Sequence, residues 1–340
     1  MTGIVSYGFY IPRNRIRIDE IANVWGKDPK NVRASLGVEE KAVSEEDEDS
    51  LTMGYQSASM ALKDLEMKDS DLKTIFFGSE TPPYVVNPAS TILGEFLGVD
   101  HNYLAYDTQF ACKAATGAMI SALSLVETNF TKYALVVASD KANAKPHDLL
   151  EYTAASASVS LLLGKNNVIL EVIDKASYSS DTPDFWRREG IRYPSHGGRF
   201  TGKPSYFHHI QQVSRILLKK NRLEPEDFAH AVFHMPNGKF PVEIARTLGF
   251  KEKQIEKSLI VKYLGNSYAA SALMGLVSVL EVAKKGDLIF FASYGSGAGS
   301  DGFIFKVTEH LAKKKRPFNN FLQDKNYITY PTYLKFMHMI

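Results

Sequence analysis

One cysteine in 340 residues rules out an intramolecular disulfide and any multi-cysteine zinc site, and it fits a reducing cytosol. No apolar run reaches membrane-spanning length, so no membrane partner is expected. The N-terminus, Met-Thr-Gly-Ile-Val-Ser-Tyr, lacks the basic segment and apolar stretch of a signal peptide. There is also no excess of one charge: 40 Lys and Arg face 38 Asp and Glu, a net +2 that gives no general attraction to nucleic acid. The local extremes, acidic Glu45 to Asp49 and basic Lys313 to Arg316, read as solvated surface.

What is present is the material of a large soluble core, 44% apolar and 23% charged, long enough for two domains or one fused double unit. Short apolar and β-branched runs alternate with stretches of helical period, the pattern of a layered α/β protein with buried strands. Strands are expected at Lys73–Gly78, Tyr133–Ala138, Ser158–Leu163, Ala229–His234, Ser258–Tyr263, Leu288–Ser293 and Phe303–Val307. Helices are expected at Ser50–Leu65, Pro88–Leu97, Cys112–Thr128, Tyr206–Lys220, Pro241–Leu248 and Ser267–Lys284. The two halves echo each other, which predicts residues 1–165 and 166–316 as two similar units packed together. The tail, 317–340, carries Phe318, Phe321, Tyr327, Tyr330, Tyr333 and Phe336, too aromatic for disorder, and should pack on the core or on a partner.

The echo brings four polar residues into correspondence. Glu80 and His234 follow apolar strands abruptly, in Phe76-Phe-Gly-Ser-Glu-Thr-Pro-Pro83 and Ala231-Val-Phe-His-Met-Pro-Asn237. Cys112 and Asn266 each open a helix of small residues. At a helix start, free N–H groups and the macrodipole favour a thiolate, and Lys113 adds a positive charge beside it. A carboxylate in an apolar setting works as a base near neutrality, and a histidine or asparagine can donate to a thioester or ketone oxygen. Each residue has a bland reading when taken singly: an inert buried thiol, an exposed loop glutamate, a strand-end histidine, a helix cap. Together they form the minimum set for acyl transfer through a thioester with generation of a carbon nucleophile.

Gly297-Ala-Gly-Ser-Asp-Gly302 matches a dinucleotide fingerprint but leads into a strand, so nucleotide binding is rejected; the glycines serve a hairpin turn or a close backbone approach. His230 with His234, and His208 with His209, lack the geometry of a metal site and read as structural.

The segments Gly78-Ser-Glu-Thr, Phe110-Ala-Cys-Lys-Ala, His196-Gly-Gly-Arg-Phe-Thr-Gly202, Phe233-His-Met-Pro-Asn-Gly-Lys239, Gly265-Asn-Ser-Tyr and Tyr294-Gly-Ser-Gly-Ala-Gly-Ser-Asp-Gly302 carry a specific likeness. By them, and over nearly its whole length, the chain resembles the archaeal-type 3-hydroxy-3-methylglutaryl-CoA (HMG-CoA) synthases of the thiolase superfamily. The resemblance implies a thiolase-like five-layered αβαβα fold made from two halves. It also implies that Cys112 is acetylated by acetyl-CoA, that Glu80 removes a methyl proton, and that His234 polarises acetoacetyl-CoA. Thr153, Thr201, Asn266 and Ser296 then contact the acyl portion, and Arg199 and Lys239 contact CoA. Where relatives often place another basic residue, this chain has Glu243. No metal and no cofactor beyond the two CoA thioesters is implied. The implied assembly is a cytosolic homodimer that joins an acetoacetyl-CoA thiolase and a small zinc-containing scaffold protein in a channelling complex. A decarboxylating ketoacyl synthase would not need Glu80, a thiolase would need a second cysteine, and a non-catalytic acyl-CoA scaffold would leave Cys112 unacylated.

Overall fold

A computed structural model of the chain describes residues 1–63, 65, 68 and 71–340. Nine strands form one sheet: β1 (Gly3–Tyr10), β2 (Leu72–Gly78), β3 (Leu104–Thr108), β4 (Tyr133–Lys141), β5 (Ser156–Gly164), β6 (Leu170–Ser179), β7 (His230–Phe233), β8 (Leu288–Ala292) and β9 (Gly299–Val307). Their spatial order is β7-β8-β9-β6-β1-β5-β4-β2-β3. Within the sheet the two flanks are joined where Gly3 and Ile4 pair with Glu171 and Leu170. Six longer helices cover the sheet: α1 (Ser50–Leu62), α2 (Ala89–Leu97), α3 (Ala114–Glu127), α4 (His208–Asn221), α5 (Phe240–Leu248) and α6 (Ser271–Leu280). The helix expected over Ser50–Leu65 thus ends at Leu62, and Asp64 of that range lies outside the described residues.

The layering follows from strand period. Successive side chains point to opposite faces, so an all-apolar strand must be covered on both. In β2, Phe76 joins a central cluster with α3 and α6, whereas Phe77 joins an outer cluster with α1 and α2. On the other flank, Phe291 and Phe303 face the same central cluster, while Phe290 and Ile304 face α4 and α5. Helix, sheet, helix, sheet, helix is the resulting stack. The small residues that open α3 let it lie close on the sheet: a β-carbon at Gly78 would sit 2.5 Å from Ala115 N.

Two sequence expectations need correction. Ser258–Tyr263 is not a strand but a turn at Glu256–Ser258 and a short helix at Val261–Leu264. Its buried positions are Ser258, Ile260 and Val261, and Ser258, Val261 and the following Leu264 share a three-residue spacing; the Ser258 hydroxyl bonds the carbonyl of Ile255 (2.8 Å) and that of Ala231 (2.9 Å). The period was helical, although its residue types favoured a strand. Secondly, Cys112 and Asn266 stand just ahead of their helices: α3 starts at Ala114, and α6 at Ser271 after a turn at Tyr268–Ala270.

The tail folds back on the N-terminal flank. Phe318 and Phe321 meet the Phe9 ring at 5.3 and 5.1 Å, Asn326–Tyr327 adds a parallel strand beside Asn14–Arg15, and Tyr333 is 1% exposed. The Tyr330 hydroxyl donates to the Glu151 carboxylate (2.7 Å), and buried Lys41 donates to the Tyr333 hydroxyl (3.1 Å) and to the Glu151 carbonyl. Glu151 lies in the single turn Leu149–Tyr152, so the tail reaches the wall of the site described next.

Candidate active site

Strand ends and helix starts from both flanks converge on one cavity of about 480 Å³. Cys112, Thr153, Thr201, His234, Asn266 and Ser296 line it, with Leu150, Phe185, His196, Phe240, Tyr268 and Tyr294. Glu80 lines a smaller adjoining cavity, close enough to Cys112 that each group shifts the titration of the other. Arg199 and Lys239 do not line the cavity; both are exposed, next in sequence to the lining residues Gly198 and Phe240. Glu243 sits in a separate surface depression with Lys203 and His208.

Cys112 is buried, and desolvation raises its thiol well above the ordinary value; the neighbouring Glu80 charge acts in the same direction. The expected thiolate is therefore corrected to a thiol. Ala111 takes a positive φ of 45° and Cys112 precedes the helix, so the macrodipole's first turn begins beyond it. Lys113 does not help either: its ammonium turns away and meets both Asp301 carboxylate oxygens at 3.0 Å, in a pair with the aspartate fully buried. Opposite charge at that distance cancels its field at the sulfur.

Glu80 is pushed up to about 8, first by desolvation and then by the Asp140 charge. Its Oε1 is buried without a hydrogen-bond partner. Asp140 organises the Glu80 loop: its Oδ1 accepts from Ser79 Oγ (2.8 Å), Glu80 N (2.8 Å), Thr81 N (2.9 Å) and Thr81 Oγ1 (2.7 Å), and its Oδ2 accepts from Ala269 N (2.9 Å) on the other flank. Sequence reasoning missed Asp140. The signal was available in Val136-Val-Ala-Ser-Asp140, an apolar strand ending abruptly in a charge as at Glu80.

His234 is 1% exposed, and burial lowers it to about 3, so its imidazole is neutral and offers one N–H. Tyr206 donates to its carbonyl (2.7 Å), and Nδ1 has no partner in the protein. Asn266 satisfies both of its readings. Its Oδ1 caps Tyr268 N (3.0 Å), as a helix cap does, and its side chain lines the same cavity as Cys112 and offsets part of the rise in the thiol's pKa. The backbone of Asn266 is held by Thr153 O (2.7 Å) and Ala155 N (2.9 Å). A second missed residue is Asp184, which accepts from Tyr294 OH (2.6 Å) and Gly297 N (2.8 Å) and so holds the loop that carries Ser296. Chemically, the site offers a sulfur, a carboxylate of raised basicity near it, and neutral donors for an oxyanion, all in a desolvated pocket.

Comparison with known proteins agrees with this arrangement. Residues 218–307 match the family described as 3-oxoacyl-[acyl-carrier-protein] synthase III C terminal. Hydroxymethylglutaryl-CoA synthase of Methanopyrus kandleri is 46% identical over 336 residues, 98% of this chain and 96% of that protein. That of Methanocaldococcus jannaschii is 45% identical over 343 residues, 100% of this chain and 99% of its own length. A crystal structure of an HMG-CoA synthase complexed with CoA superposes with a TM-score of 0.90 at 22% identity, covering 99% of this chain and 90% of that one. MvaS in complex with 3-hydroxy-3-methylglutaryl coenzyme A also superposes at 0.90, with 23% identity and coverage of 99% and 91%. The fold is the five-layered thiolase-like one, and with near-complete alignment to its archaeal members the chain belongs to the hydroxymethylglutaryl-CoA synthase family.

Proposed function

We propose that the chain is an acyltransferase that condenses acetyl-CoA, acetoacetyl-CoA and water to HMG-CoA and free CoA, through an acetyl thioester on Cys112, in the mevalonate route to isoprenoids. The observation that carries this reading is the placement of Glu80 and Cys112 on adjoining cavities that share Phe185 and Ser296, the larger of them able to take a thioester. In the first step the sulfur attacks the acetyl carbonyl, the bond to CoA breaks, and the thiol proton ends on the departing CoA sulfur. Amide N–H groups near Cys112 and the Asn266 side chain hold the oxyanion. Glu80 then takes a proton from the acetyl methyl, and the carbanion attacks the ketone carbon of acetoacetyl-CoA. Neutral His234 donates its one N–H to that ketone oxygen as charge grows on it. The new alkoxide is protonated, and water cleaves the thioester.

Thr153, Thr201 and Ser296 contact the acyl portion in this scheme, and Arg199 and Lys239 stand outside the mouth where CoA phosphates emerge. The reaction needs no metal and no cofactor beyond the two thioesters. We assign the assembly as a cytosolic homodimer associated with an acetoacetyl-CoA thiolase and a small zinc-containing scaffold protein. Exposed Tyr84, Val85 and Val86, at 53%, 93% and 87%, support self-association, and they follow the Glu80 loop beside edge strand β3. The two alternatives from the same superfamily fit less well, because a decarboxylating enzyme leaves Glu80 without a task and a thiolase lacks its second cysteine here. Mixing the purified chain with both thioesters and weighing the product tests the proposal. HMG-CoA is expected; release of acetate alone, or no turnover, would sink it.

A further inference from the structure

Two cavities adjoin across Phe185 and Ser296, one lined by Glu80 and the other by Cys112. The larger holds the tunnel face of the sulfur; the smaller, about 200 Å³, is lined by Glu80, Gln109, Ala111, Trp186 and Arg187, and Phe185 and Ser296 line both. Gln109, Trp186 and Arg187 are exposed, so the smaller cavity opens to solvent on its own side. It is polar, and its volume admits several waters. Glu80 Oε1, buried without a partner in the protein, is the kind of group that ordered water satisfies. The Arg187 guanidinium donates to the Glu80 carbonyl at 2.9 Å and fixes the rim.

This arrangement matters because of a constraint in the condensation itself, and the inference rests on that reading. Once the carbon–carbon bond has formed, the product is joined to Cys112 at one end and to CoA at the other. On that reading the CoA arm occupies the larger cavity and obstructs water from that side. We propose that the smaller cavity is the water port of the hydrolytic step, which delivers water to the Cys112 thioester from the Gln109–Trp186–Arg187 side while the CoA arm still occupies the tunnel. The water oxygen bonds to the thioester carbonyl carbon and the carbon–sulfur bond breaks. One water proton passes through the Glu80 carboxylate to the cysteine sulfur, and the other leaves for solvent as the product becomes a carboxylate. Arg187 acts here as a positioning residue.

Two substitutions outside the reacting groups test the port in opposite directions. Gln109→Trp narrows it and Trp186→Ala widens it. Rapid quenching with intact-protein mass measurement follows acetyl-Cys112 and the HMG-CoA adduct separately. For Gln109→Trp, acetylation should stay within about twofold of the parent while the adduct persists about tenfold longer. For Trp186→Ala, acetyl-Cys112 should lose its acetyl group to water about threefold faster when acetoacetyl-CoA is withheld. Unchanged lifetimes in both variants would overturn the port, as would a loss of acetylation in Gln109→Trp equal to the loss of hydrolysis. Failure of the parent chain to form acetyl-Cys112 at all strikes the proposed function instead, so the two readings fail separately.

Discussion

The N-terminal flank brings ionisable groups to the site, Glu80 and Cys112; the C-terminal flank brings His234 and Asn266, which stay neutral. The four occupy matching places, two after strands and two before helices, so backbone position does not explain the division; residue type does, and burial favours the neutral form on both flanks. It pushes the carboxyl up to about 8, keeps the thiol protonated and pulls the imidazole down to about 3, so a charge that forms during reaction meets oriented donors and little water. Glu80 and Cys112 both feel the buried Asp140, whereas His234 is flanked by the rings of Tyr206 and Tyr294. The two flanks are also stitched by buried aspartates from opposite sides, Asp140 reaching Ala269 and Asp301 reaching Lys113.

The sharpest way to break this comparison is to truncate matching residues. Cys112→Ala should abolish the acetyl adduct and lower condensation by about 10⁴ or more, while Asn266→Ala keeps the adduct and loses about 10². Equal losses, read by mass of the quenched protein, would mean the flanks share one task. Glu80→Ala comes next: acetylation persists, and carbon–carbon bond formation falls by about 10³. In the parent enzyme that step should accelerate with pH through about 8 as the carboxyl ionises. If acetylation vanished along with it, Glu80 would have to serve the sulfur instead.

Removing a stitch should affect stability more than chemistry. Lys113→Met leaves Asp301 buried without its cation, and denaturant unfolding should report a loss of roughly 3–5 kcal/mol. A loss under 1 kcal/mol would show that Thr116 and Ser177, which also donate to Asp301, suffice. Glu80→Gln has a pH-dependent sign. The folded carboxyl at about 8 keeps a proton that the unfolded chain, with its ordinary value near 4.5, has lost. The stability from this group is therefore complete below about 4.5 and drains away as pH rises through 8. The amide variant should melt roughly 2–4 °C above the parent at pH 9 and level with it near pH 4; equal melting at both would remove the raised carboxyl from the account. The smallest effect is expected at the tail. Tyr330→Phe deletes the bond to Glu151 and should cost about 1 kcal/mol, with a raised KM for the thioester because the Leu150 and Thr153 wall loosens. An unchanged KM would confine the tail to a role in stability.

Much of this architecture could be read from residue order. The runs at Phe76–Phe77 and Phe290–Phe291 demand cover on both faces, and the abrupt polar residues after apolar strands mark the site. Ser258–Tyr263 was misread because a three-residue burial period can be written in β-branched and aromatic residues. The Lys113 charge was misjudged because its partner, Asp301, lies 188 residues away in sequence.

Sequence by itself determined most of the elements, nominated the residues to look for at the site and showed which family the chain resembles, because period and residue type are local properties. Only the tertiary structure decided their protonation, the cancellation of Lys113, the anchoring of the tail at Glu151 and the second cavity behind Glu80. Each of these depends on what lies nearby and how much water remains, and desolvation and Coulomb energy are set by distances that the order of residues does not contain.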